Sequence, residues 1–328
     1  MNLKFVKVLI PCLTSLLCLA GCGGDDVGPS KTGYYKDLDF TLEGTELEYA
    51  LQEHAFKKHV NYIPYSQFTS YCSNTNDHYS IERVSEKNTK NQQFYTAKEV
   101  TGSTGTREHV WPCANSDNLW VHDKDNPKNP HNVDGTGYAG GGSDLYHVRL
   151  ADSTVNTARG NSKFVDFDDV PADQKADLIE VGSSGGKYKI KITGYSKNSQ
   201  SGKIEYANRV EVNDKMKGDV ARTLLYVWMH YSNRPSVPDG STIVKYSSNK
   251  TKEIQYSDMV GKLNFRNILA YETLGECASK LIEWNKIDPP SETEKLRNDT
   301  VQRIQGNRNP FVDYPELVDQ VLVEMLDK

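Results

Sequence analysis

The chain has 328 residues, of which 37% are hydrophobic and 25% are charged, and its formal net charge at pH 7 is −5. This is ordinary globular composition, and the chain is long enough to bury a sizeable core as one large domain or two small ones. The acidic balance counts against a tight, non-specific nucleic-acid binder, which is usually basic. It does not exclude an enzyme, because a metal and a local group of arginines can supply positive charge at one site.

The N-terminus has the pattern of a bacterial export signal. Lys4 and Lys7 precede an apolar run over residues 8–20. This run is shorter than the roughly 20 apolar residues that a transmembrane helix needs. It ends at Leu19-Ala20-Gly21-Cys22, which resembles a lipobox, in which cleavage precedes the cysteine and the cysteine carries lipid. An ordinary cleaved signal peptide is the alternative.

Three parts of the chain are therefore predicted. Residues 1–21 are a lipoprotein signal peptide, residues 22–33 are a flexible tether rich in Gly, Asp and Ser, and residues 34–328 are the folded domain. Removal of the signal peptide takes away two lysines and no acidic residue, so the net charge changes from −5 to −7.

The cysteines do not form a metal-binding pattern. If Cys22 carries lipid, the cysteines that remain are Cys72, Cys113 and Cys277, and their spacing fits no zinc motif. In an oxidising compartment these three cysteines allow one disulfide and one odd thiol, and the spacing does not indicate which two residues pair.

The first half of the folded part predicts one helix and a few short strands. Apolar residues at helical spacing predict an amphipathic helix over residues 45–59. Residues 93–100 favour a strand, and residues 115–143, rich in Asp, Asn, Pro and Gly, indicate a long loop. Two segments with alternating apolar and charged residues, 187–192 and 203–206, predict strands joined as a hairpin.

From Lys217 onward the pattern is helical. An apolar stripe predicts one helix over residues 217–231, and a second helix over residues 264–284 stops before Pro289-Pro290. Ser291 with Glu294 forms a capping box, and the helix that it begins ends near Gly306. A last amphipathic helix covers residues 317–325. One α+β domain accounts for this order of elements.

Two residues of the string Arg107-Glu108-His109-Val110-Trp111-Pro112 offer the chemistry that phosphodiester hydrolysis needs. Imidazole has an unperturbed pKa of about 6.5, so His109 is a candidate general base at neutral pH. Glu108 and the downstream Asn156 offer oxygen ligands, which suit Mg²⁺, with Mn²⁺ or Ca²⁺ as alternatives. Such a metal neutralises charge on the phosphoryl oxygens.

The spacing also predicts how these residues come together. The strands at 107–112 and 145–150 are expected to pair antiparallel and to pack on a short helix that begins near Asp152 or Ser153. Asn156 and Arg159 then lie on one face of that helix, where Arg159 is a candidate phosphate clamp. Adjacent residues on a regular strand face opposite sides, so Glu108 and His109 share one site only if the strand is distorted.

Taken singly, these residues have other interpretations. A Glu-His pair is usually a surface feature, an Asn at the start of a helix is usually structural, and a lone Arg is usually a solvated charge. His147 is expected to be a packed, hydrogen-bonded histidine rather than a site residue. Arg308 is expected to be a structural tie.

The joint order of the motifs resembles the bacterial endonuclease I family, secreted nucleases built on a ββα-metal (His-Me finger) core, with the closest resemblance to the Bacillus-type extracellular ribonucleases and deoxyribonucleases. The resemblance extends over nearly the whole mature chain. The ordered blocks that carry it are Tyr34-Tyr35 to His59, Arg107 to Pro112, Gly142 to Leu145 with Val155 to Asn161, Gly218 to Arg222, and Leu281 to Phe311.

The resemblance implies the roles of the site residues. His109 would be the general base, Glu108 and Asn156 the metal ligands, and Arg159 a residue near the phosphate. Cleavage of DNA, RNA or both, with little base preference and with 5′-phosphate products, is implied as well.

Three positions depart from the family pattern. Tyr146 stands where many relatives have His, and Cys113 stands where Lys is common. Gly142 stands where some relatives carry an acidic residue that supports the metal site. These differences bear on substrate preference and rate more than on the type of reaction.

The sequence thus predicts an α+β protein with a ββα-metal core surrounded by helices. It is expected to be a monomeric, metal-dependent endonuclease acting on DNA and/or RNA, anchored outside the cytoplasm to a membrane through lipid on Cys22. The alternative is a catalytically weakened nucleic-acid-binding or adhesive surface lipoprotein.

Overall fold

The computed structural model describes residues 33–326 except for 76–77, 113–140, 176, 183–187, 198–199, 201, 203, 233, 235–236, 238, 248–249 and 260–276. The predicted signal peptide, Cys22 and the predicted tether up to residue 32 lie outside the described residues, as do Cys113 and the side chain of Cys277. Cys72 is a buried free thiol. No helix among the described residues combines the length and the apolar character needed to cross a membrane.

The described residues form a mixture of helices and short strands, which confirms the predicted α+β class. The helices are α1 (Gly44–Lys58), α2 (Phe68–Tyr71), α3 (Ser153–Arg159), α4 (Lys217–Tyr231), α5 (Tyr256–Met259), α6 (Cys277–Ile287), α7 (Glu292–Gln305), α8 (Pro310–Asp313) and α9 (Leu317–Leu326). The strands are β1 (Lys90–Gln93), β2 (Lys98–Thr101), β3 (Thr106–His109), β4 (Val148–Ala151), β5 (Lys163–Phe164), β6 (Ile179–Gly182), β7 (Lys189–Thr193), β8 (Ser196–Lys197), β9 (Ile204–Tyr206), β10 (Arg209–Glu211), β11 (Ser241–Ser247) and β12 (Lys250–Gln255).

Helix α4 is the centre of the helical part of the core. Every one of its residues is buried, because α1 and α6 pack against it and α9 packs on both of those helices. Gly218 in its first turn lies so close to the carbonyl oxygen of Asp288 that a Cβ atom would collide with it. The predicted helix is confirmed, but it is buried along its whole length, with charged residues such as Asp219 and Arg222 as well as the apolar stripe that its sequence indicated.

The capping signals of the C-terminal helices are confirmed. The Ser291 side chain accepts a hydrogen bond from the backbone N–H of Glu294 at 3.2 Å, as a capping box requires. Helix α7 ends at Gly306, whose φ of +101° suits glycine, and whose position against the carbonyl oxygen of Lys58 leaves no room for a Cβ atom. This contact joins the end of α7 to the end of α1.

The ββα order that the motifs predicted is present. Strands β3 and β4 pair antiparallel, with Glu108 opposite Arg149 and His109 opposite Val148. Helix α3 follows at once, and the Asp152 carboxylate caps it by accepting hydrogen bonds from two backbone N–H groups. A four-stranded sheet in the order β5-β10-β7-β6 completes this region, and α3 lies against β6, β7 and β9.

Residues 93–100 contain a strand, as predicted, because β2 begins at Lys98. Before it, Tyr95 and Ala97 adopt positive φ angles and turn the chain between β1 and β2. Two other predictions about strands are wrong. The two alternating segments do not pair with each other: β7 pairs with β6 and β10, whereas β9 pairs with β8. Alternation marks the two faces of a strand but not its partner. The hairpin of β11 and β12 lies in a stretch for which only helices were expected.

Candidate active site

Strand β3 presents two different environments on its two faces. On one face, the Arg107 guanidinium carbon lies 4.1 Å from the ring centroid of Tyr65, and the His109 imidazole stacks on the same ring at 4.5 Å. On the other face, the Glu108 carboxylate contacts Tyr95 and Arg159. The strand pairs regularly with β4 and has no bulge here, so Glu108 and His109 keep the opposite orientations of adjacent strand residues.

The His109 imidazole is oriented by a backbone carbonyl. Its Nε2 atom lies 3.2 Å from the carbonyl oxygen of Gly142, and only 8% of the residue is exposed. A carbonyl oxygen only accepts, so this contact requires the proton on Nε2 and makes Nδ1 the basic atom of the neutral ring. The carbonyl of Gly142 thus orients His109.

His147 holds the same turn from the other side. Its Nδ1 atom donates to the carbonyl oxygen of Gly141 at 2.7 Å, and its Nε2 atom accepts from the backbone N–H of Trp111 at 2.9 Å. Burial lowers the pKa of His147 to about 4, so the ring is neutral at physiological pH. The expectation of a packed, hydrogen-bonded histidine is confirmed. Consecutive carbonyls of the turn therefore bind two different histidines.

The Glu108 carboxylate is enclosed. Its Oε1 atom accepts a hydrogen bond from the Tyr95 hydroxyl at 2.6 Å and one from Arg159 Nη1 at 2.9 Å. Burial raises the pKa of Glu108 to about 7, and the positive charge of Arg159 opposes this shift without cancelling it. A buried carboxylate with a raised pKa has less positive charge around it than its full ionisation requires.

Arg159 is a tie between α3 and β3 in this structure. It is 1% exposed, and besides Glu108 its guanidinium binds the carbonyl oxygens of His109 and Val110. The guanidinium carbon also lies 4.7 Å from the ring centroid of Phe164. The phosphate contact predicted for Arg159 stays a prediction, and these contacts place its donors inside the protein.

Asn156 lies on the same helix, beside the strand. Its side-chain Nδ2 donates to the carbonyl oxygen of Arg107 at 3.1 Å, and the residue is half-buried. The amide nitrogen therefore faces the backbone, and the amide oxygen is the atom that remains to accept. Helix α3 brings Asn156 and Arg159 to β3 together, as the spacing of the two residues indicated.

A second group of polar side chains, which the sequence did not indicate, lies next to the turn. His59, Asp144 and His230 are fully buried, and among the described residues this is the group of His, Cys, Asp and Glu ligand atoms close enough to hold a metal ion. His59 Nδ1 lies 3.0 Å from His230 Nε2 and 4.0 Å from Asp144 Oδ2. Burial lowers the pKa of both histidines, that of His230 to about 3.

The carboxylate of this second group already accepts hydrogen bonds from protein side chains. The Asp144 carboxylate accepts from the hydroxyls of Tyr226 and Tyr231, each at 2.7 Å, and from the Gln305 amide at 2.8 Å. The outer ring nitrogens of the two histidines are buried without a hydrogen-bond partner among the described residues. A metal-bound histidine ordinarily donates its outer N–H to an acceptor, so the surroundings here suit a hydrogen-bonded core.

The sequence did not indicate Tyr65 and Tyr95, the two aromatic residues that frame the site. Tyr65 lies in a polar, Tyr-rich segment, and Tyr95 lies in a segment that was predicted to contain a strand. The only local signal for Tyr65 is the alternation of Arg107 and His109, which predicts a shared neighbour on one face of β3. Nothing in the local pattern predicts which residue that neighbour is.

Comparison with known proteins gives a consistent result. The family model described as Endonuclease I matches residues 43–316. The extracellular ribonuclease of Bacillus amyloliquefaciens is 32% identical over 223 residues, which are 67% of this chain and 55% of that protein. The extracellular ribonuclease of Bacillus subtilis strain 168 is 32% identical over 216 residues, which are 66% and 53%. The chain thus spans about half the length of these relatives.

Proposed function

The chain belongs to the endonuclease I family, and we propose on that basis that it is a metal-dependent, largely sequence-non-specific endonuclease. Its substrate would be DNA, RNA or both, and its products would carry 5′-phosphates. The observation that carries the proposal is the orientation of His109. The hydrogen bond from Nε2–H to Gly142 fixes the neutral tautomer in which Nδ1 is a base.

The proposed first step is removal of a proton from the attacking water by Nδ1 of His109. The resulting imidazolium keeps its Nε2–H bond to the Gly142 carbonyl, which becomes stronger because the donor is then charged. Stacking on Tyr65 keeps the ring plane fixed during this transfer. Gly142 itself is held next to Gly141, whose carbonyl binds His147.

Glu108 and Asn156 are the proposed metal ligands, because the donor set is a carboxylate and an amide oxygen. Glu108 and His109 face opposite sides of β3 in this structure, so the proposal requires the end of the strand to twist when both residues act on one phosphate. Oxygen ligands fit a hard divalent cation, Mg²⁺ by preference and Mn²⁺ or Ca²⁺ as alternatives. When bound, the cation supplies neutralisation of charge on the phosphoryl oxygens and on the leaving 3′-oxygen. The raised pKa of Glu108 supports this assignment, because the carboxylate lacks part of the positive charge that would stabilise it. Tyr95 and Arg159 orient this carboxylate through its Oε1 atom.

The cellular setting proposed here is outside the cytoplasm, with a monomeric protein anchored to a membrane through lipid on Cys22. The lipobox-like sequence at residues 19–22 supports the anchor. The two Bacillus relatives are named extracellular, which supports export.

Cleavage assays on the purified protein test the proposal. Plasmid DNA and total RNA are incubated with the protein and Mg²⁺, and again with EDTA. Cleavage of at least one substrate is expected with Mg²⁺ and not with EDTA. His109→Ala is expected to lower the rate by about 10²- to 10⁴-fold, the usual contribution of a general base. His78→Ala is the matched control, because His78 contacts Tyr71 and Tyr79 rather than the site.

One other function has an observation in its favour. The net charge of −5 and the glycine at position 142, where some relatives carry an acidic support residue, suit a catalytically weakened nucleic-acid-binding or adhesive lipoprotein. Equal, negligible cleavage by the wild type and His109→Ala, with Mg²⁺, Mn²⁺ or Ca²⁺ and a folded protein, would favour that function.

A further inference from the structure

The enclosed position of Arg159 raises the question of which cation meets the substrate. The Arg159 guanidinium is buried and bound to Glu108 and to backbone carbonyls. A phosphate that reached it would have to displace the Glu108 carboxylate. Leaving a buried charge without its partner is strongly unfavourable. A different cation near His109 would meet a phosphate without this loss.

Arg107 lies where such a cation is needed. It is half-buried and lies on the same face of β3 as His109, because residues two apart on a strand share a face. Its Nη1 atom donates to the carbonyl oxygen of Tyr65 at 2.9 Å, and the guanidinium carbon lies 4.1 Å from the Tyr65 ring centroid. These contacts hold the side chain beside the imidazole.

Arg107 also differs from most of the buried arginines in its charge balance. Within the part of the chain that the structure describes, no carboxylate forms an ion pair with it. The arginines that do pair with a carboxylate are Arg149, Arg159, Arg222, Arg297 and Arg308. Among the described residues, no ion pair of Arg107 with a carboxylate therefore has to break before its guanidinium binds an anion. Four of the five guanidinium N–H donors remain after the bond to the Tyr65 carbonyl.

We propose that Arg107 is the cation that contacts the nucleic-acid backbone, through a phosphate next to the bond that His109 acts on. This inference rests on the proposed nuclease function. The planar fork of the guanidinium matches two oxygens of one phosphate. Tyr65 is a positioning residue, because its ring contacts both the Arg107 guanidinium and the His109 imidazole.

The contact would carry no sequence information. A phosphate has the same oxygens whatever the base, so the affinity contributed by Arg107 is equal for all sequences and depends on salt. It would also serve DNA and RNA alike. This agrees with the largely sequence-non-specific cleavage proposed above.

The test measures binding apart from cleavage. The parent is the His109→Ala protein, and its affinity for a fluorescent DNA duplex is measured by anisotropy at several salt concentrations. Adding Arg107→Gln is expected to weaken binding by about 10- to 100-fold, the usual range for a charged hydrogen bond. The slope of log K against log salt should fall by about one. Arg107→Lys, which keeps the charge but not the fork, should restore the slope and only part of the affinity.

Arg234 supplies a closely matched control. Its guanidinium carbon lies 4.5 Å from the ring centroid of Tyr49, and its Nη1 donates to the carbonyl oxygen of Tyr49 at 3.2 Å. This is the arrangement of Arg107 on Tyr65, but Arg234 contacts α1 rather than β3. Arg234→Gln removes the same charge and the same kind of stack, and it is expected to leave the affinity and the salt slope unchanged.

Each outcome decides the proposal. An Arg107→Gln protein with the parent's affinity and salt slope overturns it, and so does an equal loss in Arg234→Gln. If Arg107→Gln does not fold, as judged by its thermal transition, Arg107→Lys gives the decision by its affinity alone. Failure of the whole nuclease function is a separate result, in which the wild type cleaves neither substrate and the parent binds neither DNA nor RNA.

The role of Tyr65 is tested by kinetics on the His109-containing protein. Tyr65→Phe keeps the ring and loses only the long hydrogen bond from its hydroxyl to the Arg107 carbonyl at 3.4 Å, so its changes in kcat and KM should be much smaller than those of Tyr65→Leu. Tyr65→Leu removes the ring and is expected to lower kcat and raise KM together, because both the base and the phosphate contact lose their support. A change in stability alone, with kcat and KM unchanged, would contradict a positioning role.

Discussion

Two buried carboxylates next to the β3–β4 pair, those of Glu82 and Glu108, differ in the number of cations that surround them. Glu82 binds two arginines: Arg149 Nε lies 3.1 Å from Oε1, and Arg297 Nε lies 3.2 Å from Oε2. Glu108 binds one arginine, Arg159, and a tyrosine hydroxyl. Burial on its own would raise the pKa of both carboxylates. The two arginines outweigh it at Glu82, whose pKa is lowered, whereas the pKa of Glu108 rises to about 7.

The difference shows which carboxylate has its negative charge balanced by neighbouring cations. Glu82 has enough positive charge and enough donors to remain ionised in the interior, and it joins β4 to α7. Glu108 is short of one positive charge, which is the condition of a carboxylate that binds a metal cation. Our proposal therefore makes Glu82 a structural carboxylate and Glu108 a metal-binding one, and substitutions should separate them.

The largest expected effect is on stability, from Glu82→Gln. The change leaves the buried Arg149 and Arg297 without their carboxylate, which typically costs about 3–5 kcal/mol. Chemical denaturation gives the free energy of unfolding. Glu99→Gln is the control, because the exposed Glu99–Lys90 pair should contribute less than about 1 kcal/mol. Equal values for the two variants would contradict the structural role of Glu82.

The next largest effect is on activity, from Glu108→Gln. The amide keeps the shape of the carboxylate but is a poor metal ligand, so a loss of about 10²- to 10³-fold in kcat is expected. The free energy of unfolding should fall less than in Glu82→Gln, because one buried arginine, Arg159, loses its carboxylate partner instead of two. Nuclease assays with a series of Mg²⁺ concentrations check the first point, and denaturation checks the second. Full activity at saturating Mg²⁺ would remove Glu108 from the metal site.

Mild acid should destabilise the turn that His147 binds but not the ion pairs of Glu82. The pKa of His147 is about 4 in the folded protein and about 6.5 in the unfolded chain. As pH falls from 6.5 to 4, the unfolded chain binds a proton that the folded protein does not, and stability falls by up to about 3 kcal/mol. The lowered pKa of Glu82 keeps that carboxylate ionised over this range.

His147→Gln isolates this effect, because glutamine can also accept from Trp111 and donate to Gly141 but does not titrate. Denaturation at pH 7 and at pH 4.5 should show a smaller loss of stability for the variant than for the wild type. Other buried histidines contribute equally to both proteins and cancel in the difference. Identical losses would mean that His147 is protonated at the same pH in the folded and unfolded chains.

The smallest expected effect comes from Tyr95→Phe, which removes the hydroxyl from Glu108. The lost hydrogen bond should lower the free energy of unfolding by about 1–2 kcal/mol and the rate of cleavage by a few-fold. Tyr35→Phe is the matched control, because the Tyr35 hydroxyl binds Asp313 at 2.6 Å, the same length as the bond from Tyr95. A similar loss of stability with full activity is expected there.

The comparison also shows what the sequence could and could not predict. The β3–β4–α3 order, the start of α3 near Asp152 and the helix that begins after Ser291 depend on short-range patterns, and they were predicted correctly. The turn at Tyr95 was not, since neither Tyr95 nor Ala97 is a residue that normally signals a positive φ angle.

Contacts between side chains that are distant along the chain could not be predicted from the sequence either. Helical spacing placed Arg159 next to Asn156, but only packing decides that its guanidinium faces Glu108 rather than solvent. The contact of Arg107 with Tyr65 joins residues 42 apart. The periodicity of a single segment carries no information about such a contact. It also carries none about which strands pair with β7.

Asp144 has a consequence for the order of folding. Its carboxylate binds Tyr226, Tyr231 and Gln305, which lie 82, 87 and 161 residues further along the chain. Contacts of such high sequence separation form late, because long loops must close before the contacts repay the lost entropy. The turn that orients His109 is therefore completed only after α4 and α7 have docked. Recovery of cleavage during refolding should trail the recovery of helical signal, and a chain truncated before α7 would retain Glu108, His109 and Asn156 without a formed site.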